Sequence, residues 1–164
     1  MNETATKDIL QPRKVSESKA KLVDIVFPND TNQYSTIFGG KVMAYADKIA
    51  AIAAMRHCRR PVVTVSSDSF RFHAPIKAGE AICVEASVVC AHRTSMEVFV
   101  EIHSENLLTG EKKLASNAYM TMMAVGEDGK PTEVPAVIPE TEHEKEQYRY
   151  AMERYIARKL EKNH

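Results

Sequence analysis

The chain has 164 residues, of which 44% are hydrophobic and 27% charged, with a formal net charge of +0. This length fits one domain with a real core, and the balanced charge excludes an overall basic field for nucleic acid or an anionic membrane. No apolar run reaches membrane-spanning length, the first eight residues contain no hydrophobic signal region, and three cysteines make no disulfide framework, so a cytoplasmic protein with reduced thiols is expected.

Residues 1–18 are polar and charged and predict a flexible tail, ahead of a domain over 19–130 and an extended linker with a C-terminal helix over 131–164. Leu22–Phe27 reads as a short strand, and Pro28–Thr36 is rich in turn formers. A helix follows from about Gly40 to His57, built of good helix formers and apolar on nearly every side, which predicts burial. Arg56, His57, Arg59 and Arg60 gather at its C-terminal end, where cations meet the negative pole of the helix dipole, and Pro61 prevents continuation.

From Val62 the pattern is β. Val62–Phe72, Ala81–Cys90, Ser95–His103 and Lys113–Val125 are strands separated by turns. In the third of these, Met96, Val98, Val100 and Ile102 alternate with Glu97, Phe99, Glu101 and His103, so one face is buried. Thr141–Lys162 carries Tyr148, Met152, Tyr155 and Ile156 at helical spacing among alternating charges and predicts an amphipathic, mostly solvated helix. Short connections imply antiparallel neighbours. The expectation is an α+β fold in which one antiparallel sheet curls around one helix, leaving a surface that favours self-association.

Three features bear on chemistry. Asp47 lies mid-way along the apolar helix, where an unpaired carboxylate would cost several kcal/mol. Gly39 and Gly40 stand at the helix mouth, where free N–H groups form a partial positive pole able to stabilise an oxyanion. Asn32 supplies an amide that can hold a water or a carbonyl. A carboxylate near such a pole can activate water or attack directly; the plainer reading is glycines for packing and a structurally satisfied acid. Asp47 lies seven residues beyond Gly40, about 10 Å along the axis. One reacting carbonyl cannot touch both on the same helix, so joint action implies two subunits.

The run Phe27-Pro28-Asn29-Asp30-Thr31-Asn32, then Ile37-Phe38-Gly39-Gly40-Lys41-Val42-Met43, then Asp47, resembles the hotdog-fold acyl-CoA thioesterases. In particular it is similar to the bacterial acyl-CoA hydrolases related to the animal cytosolic acyl-CoA hydrolases. Ser67–Glu80 and Arg93-Thr94-Ser95-Met96 extend the resemblance, which runs from about Leu22 to Val125. It implies a sheet wrapped around a long central helix, in dimers that assemble as trimers of dimers, and hydrolysis of fatty acyl-CoA to free acid and CoA without a further cofactor. It assigns the acid role to Asp47, carbonyl or water positioning to Asn32, and the oxyanion donor to the Gly40 N–H. It further implies that Asn32 and Asp47 of one site come from different protomers, with Gly39, Arg93, Thr94 and Ser95 contacting substrate. One position departs from the family pattern: Ser35 stands where a glycine is usual, so a different loop conformation is expected there.

The histidines and cysteines show no paired metal-ligand spacing, so no metal site is expected. Cys58 has no evident base partner and reads as a packing thiol. No Gly-x-Ser-x-Gly elbow occurs. The alternative to hydrolysis is a non-catalytic acyl-CoA binding or sensing module.

Overall fold

The computed structural model describes residues 9–163. Five strands form one antiparallel sheet: β2 (Ala20–Ile25), β3 (Val62–Phe72), β4 (Ala81–Ala91), β5 (Ser95–Glu105) and β6 (Lys112–Ala124), in the spatial order β2-β4-β5-β6-β3. The sheet curls around α2 (Gly39–Cys58), a helix of 20 residues. A two-stranded parallel pair, β1 (Arg13–Lys14) and β7 (Val137–Ile138), a short helix α1 (Val15–Ser18) and the C-terminal helix α3 (Glu142–Lys162) complete the described residues. The hotdog architecture is therefore the one the sequence led us to expect.

Alternation decides which face of the sheet meets the helix. Met96, Val98, Val100 and Ile102 of β5 are fully buried, and Ala118, Met120 and Met122 of β6 join them against Val42, Ala46, Ile49 and Ala53 of α2. Small residues on α2 let its backbone approach the sheet closely, which is why an alanine-rich sequence serves here. On the other flank, Tyr45 Oη donates to Asp24 Oδ2 at 2.5 Å and ties α2 to β2.

The connections β4–β5 and β5–β6 join neighbours, as short turns require, but β3 pairs with β6 and not with β4. The reason lies in residues 73–80. His73 and Ala74 donate to the Ala115 carbonyl, and the chain then passes the helix mouth, where the Ile76 carbonyl accepts from Ile37 N. This segment carries the chain from one edge of the sheet to β4, next to the opposite edge.

Residues 13–18 depart from the expected loose tail, since Val15 and Ser18 are buried and Ser18 Oγ accepts from Val88 N at 2.8 Å. Residues 1–8 of that expectation lie outside the described residues. A strap over 131–138 ties together the β4–β5 connection, β1 and the C-terminal end of α2: Val134 N donates to the Arg93 carbonyl, Arg13 N to the Ala136 carbonyl, and His57 Nε2 to the Pro135 carbonyl at 2.8 Å. His57 is fully buried and burial lowers its pKa, so it is a neutral core group and not a cation at the helix end.

The C-terminal helix is less solvated than its charge pattern suggests. Thr141 and Glu144 form a capping box at its start, and Gln147 and Ala151 are buried against the convex face of the sheet. There Arg154 Nε donates to Glu97 Oε1 at 2.7 Å and Arg158 Nη1 to Asp68 Oδ2 at 3.0 Å. Glu97, on the face that sequence alternation leaves open to water, is thus only 1% exposed, and burial holds its pKa above the usual carboxylate value. Among the described residues no helix is long and apolar enough to cross a membrane.

Candidate active site

The mouth of α2 is built by the loop before it. Asn32 N donates to the Thr36 carbonyl, Ser35 N to the Asn32 carbonyl, and Phe38 N to the Asp30 carbonyl. The Asn32 side chain organises the same loop, because Oδ1 accepts from Tyr34 N, Thr36 N and Thr36 Oγ1 at 2.9, 3.2 and 3.1 Å. Its oxygen is fully used, which leaves the Nδ2 amide as the group able to donate to a substrate. Ser35 is the position where the sequence departs from the family's usual glycine. Its φ is +58°, so the serine takes up a left-handed conformation that glycine adopts freely, at a cost of about 1 kcal/mol.

At the helix start Phe38 offers no side-chain cap and the first turn holds no acid. Lys41 N and Val42 N donate to the Phe38 carbonyl, whereas Gly39 N and Gly40 N make no backbone hydrogen bond. These two donors and the positive end of a helix of 20 residues form an oxyanion-binding geometry. A Cβ on Gly40 would meet nothing within 4 Å, so that glycine is not required by packing in the chain. At Gly39 a Cβ would stand 3.5 Å from Cζ of Phe72, whose ring borders a cavity of about 300 Å³ beside the helix mouth.

Asp47 corrects one expectation. It is exposed, and so are Met43, Ala44, Lys48 and Met55, because the sheet covers only one side of α2. The acid therefore lies on an uncovered helix face, which it shares with Gly40. Its partner was missed in the sequence: Thr64 Oγ1, on β3, donates to Asp47 Oδ1 at 2.5 Å. A threonine in a Val/Thr/Ser-rich strand gives no sequence signal, since only the pairing of β3 along the helix brings it there.

Arg93, Thr94 and Ser95 form the β4–β5 turn, closed by His92 N donating to the Ser95 carbonyl. The turn lies at the end of the sheet where α2 finishes, since Ser95 pairs with Met123 and Ala124 with Val62. The helix mouth is at the opposite end, beside Phe72 and Ser116, about 30 Å away along an 11-residue strand. A single chain thus brings Asn32, Gly39 and Gly40 together, sets Asp47 with Thr64 half-way along the helix, and leaves Arg93–Ser95 at the far end.

His92 stacks on Tyr155 of α3, with ring centroids 3.5 Å apart. Burial, then Arg158 and Lys159, lower its pKa to about 4. The unfolded chain would protonate it near 6.5, so its neutral folded form contributes stability above that pH, lost progressively as pH falls towards 4. Screening of this half-buried ring limits the loss to about 1 kcal/mol. His92→Phe, which keeps the stack, should flatten denaturant-unfolding stability between pH 6.5 and 4 relative to the parent.

No thiol competes as a nucleophile: burial raises the pKa of Cys58, Cys83 and Cys90, the last to about 12. Among the described residues no group of three or more His, Cys, Asp or Glu side chains is placed to hold a metal ion.

Comparison with known proteins gives the family. Residues 34–111 match the thioesterase superfamily. A Bacillus subtilis relative named as the uncharacterized acyl-CoA thioester hydrolase YkhA is 46% identical over 154 residues, 94% of this chain and 90% of its own length. The chain belongs to the thioesterase superfamily. A second relative, the rat cytosolic acyl coenzyme A thioester hydrolase, is 32% identical over 93% of the chain, which spans only 40% of that longer protein.

Among solved thioesterase structures, an apo-hexameric acyl-CoA thioesterase superimposes with a TM-score of 0.89 and 48% identity, covering 92% of this chain and 97% of its own. An acyl-CoA hydrolase from Staphylococcus aureus, solved with butyryl coenzyme A, coenzyme A and coenzyme A disulfide, gives a TM-score of 0.84 at 43% identity over 93% and 95% of the two chains. Alanine variants of that hydrolase have been solved at an asparagine, an aspartate and a threonine. Those three positions follow one another at the same intervals as Asn32, Asp47 and Thr64 do here.

Proposed function

We propose that this chain hydrolyses acyl-CoA thioesters to free acid and CoA. The observation that carries the reading is the uncapped mouth of α2, with the N–H groups of Gly39 and Gly40 free, on the same uncovered helix face as Asp47. The thioester carbonyl sits against the Gly40 N–H, which takes up the charge of the tetrahedral intermediate. Asn32 Nδ2 orients the carbonyl or the water. Asp47 accepts a proton from water as it adds to the carbonyl, the C–S bond then breaks and the CoA thiolate leaves with that proton; or Asp47 attacks the carbonyl itself, expelling the CoA thiolate to form an anhydride that water opens to the free acid and the Asp47 carboxylate; Thr64 holds the carboxylate in either case. No cofactor takes part beyond the CoA of the substrate itself.

Continuity of α2 from Gly39 to Cys58 supports a site shared between two copies. Asp47 and Gly40 of one chain stay about 10 Å apart, so the Asp47 that serves a given Gly40 comes from a second protomer. A second copy also accounts for the uncovered surface. Met43 and Met55 are 45% and 41% exposed on α2, and Val63 and Val65 lie exposed on β3, an edge strand of 11 residues. Such an edge invites pairing. Pairing two copies about this face would bring the β4–β5 turn of one chain towards the other's helix mouth, where Arg93, Thr94 and Ser95 suit the phosphates of the CoA nucleotide. Assembly of such dimers into a trimer of dimers is our reading of the hexameric relative.

The direct test is release of free thiol from a panel of acyl-CoA thioesters. Turnover supports hydrolysis; tight binding of the same panel without thiol release would make the chain an acyl-CoA sensing module instead. Within the site, Thr64→Val should lower kcat about tenfold, the effect of losing one hydrogen bond to a charged group, with KM little changed. Unaltered kcat would remove Thr64 from the machinery.

A further inference from the structure

β3 reaches the site by an irregular route. Eight residues separate Thr64 from Phe72, but only six separate their partners on β6, Met122 and Ser116. The two extra residues form bulges, one between Thr64 and Ser66 and one between Asp68 and Arg71, and within the second Ser69 has a φ of +53°. Each bulge reverses the alternation of side chains. Thr64, opposite the buried Met122, faces α2 and bonds Asp47. After the first reversal Ser66 and Asp68, opposite Thr121 and Tyr119, stand on the convex face. After the second, Phe70 packs against the core and Phe72 returns to the helix mouth beside Gly39. Thr64 and Phe72 keep their places on one strand only with both bulges present. Without them one end of β3 would slide by two residues, about 7 Å.

Packing does not hold the segment between the bulges. β3 is an edge strand with one neighbour, and Ser66-Ser67-Asp68-Ser69 has no apolar side chain to fix its phase. What meets it is α3. Arg158 Nη1 donates to Asp68 Oδ2 at 3.0 Å, and Arg158 Nη2 lies 3.9 Å from Glu97 Oε2. Glu97, buried on β5, is itself held by Arg154. Arg158 therefore links a fixed carboxylate inside the sheet to the one acid carried between the two bulges. We infer that Arg158 is a positioning residue for the site: through Asp68 it keeps both bulges of β3 in place, and with them Thr64 at the Asp47 carboxylate. The inference rests on the proposed thioesterase reaction and extends it to the opposite face of the sheet.

The experiment compares Arg158→Leu, Arg158→Lys, Thr64→Val and the double variant Arg158→Leu with Thr64→Val. Arg154 with Glu97, and the buried Gln147 and Ala151, keep α3 docked, so circular dichroism should match the parent. In folded Arg158→Leu, kcat for acyl-CoA hydrolysis should fall about fivefold, the order of one partly exposed ion pair. Arg158→Lys, which keeps the charge, should regain most of that loss. In the Thr64→Val chain the same leucine should cost less than about twofold, because the contact it protects is already gone. Parental kcat in Arg158→Leu would overturn the inference, and so would an equal loss in both backgrounds. Amide hydrogen exchange supplies a readout that needs no substrate. Exchange over residues 64–72 should quicken about fivefold in Arg158→Leu while that of β5 stays parental; unchanged exchange over 64–72 would also overturn the inference. Absence of thiol release by the parent would instead remove the thioesterase reading, with the exchange result still deciding whether Arg158 holds the bulges.

Discussion

Asp47→Ala should reduce acyl-CoA turnover about a thousandfold, the middle of the range for loss of a general base. The protein should remain folded, because Asp47 is exposed and its one hydrogen bond is the contact from Thr64. Asp47→Asn sharpens the result. Its amide oxygen still accepts from Thr64, so the local geometry survives while the charge that takes a proton or attacks carbon is gone. Free-thiol release under saturating substrate measures the loss, and retained affinity for CoA shows that the binding surface persists. Turnover within a few-fold of the parent in either variant would sink the role given to this acid.

The second large effect is a recovery. Asn32→Ala and Asp47→Ala proteins should each be nearly inactive alone, yet regain activity after unfolding and refolding together. Each site in the proposed assembly takes Asn32 with Gly40 from one chain and Asp47 from its neighbour. Random mixing of equal amounts gives both intact residues at about a quarter of the sites, so about a quarter of parental turnover is expected. Recovery at that level requires a shared site, since no single chain in the mixture holds both residues. A mixture no more active than its components would place the whole site within one protomer, against the 10 Å helical spacing.

Much of the architecture was legible because its signals are local. Alternation in Ser95–Glu105 marks the buried face of β5, the helix formers between Gly39 and Cys58 define α2, and Thr141 with Glu144 opens α3. Three readings failed where burial is a property of distant neighbours. The C-terminal helix looked mostly solvated, yet it packs on the sheet and buries Glu97 against Arg154. Val15 and Ser18 looked like tail but pack against the sheet. Asp47 looked buried because its helix is apolar all round, yet composition shows that a surface is to be covered without saying by what.

The same division runs through the site. Asn32, Gly39, Gly40 and Asp47 could be singled out from sequence because each is chemically out of place: a glycine pair at a helix mouth, a carboxylate among alanines. Sequence also determined that Gly40 and Asp47 cannot serve one carbonyl within one chain, since helical rise is fixed by backbone geometry. Thr64 was invisible, because its role depends on the strand order β2-β4-β5-β6-β3, which lays an edge strand against the helix. Ser35 kept a left-handed backbone that its residue type disfavours, held by the loop's own hydrogen bonds. Local chemistry and periodicity thus singled out the proposed acid, the proposed donors and the elements that carry them. The cavity at Phe72, the partner of Asp47 and the separation of the Arg93–Ser95 turn from the helix mouth were decided by tertiary structure alone, because each depends on residues brought together across the sheet and not along the chain.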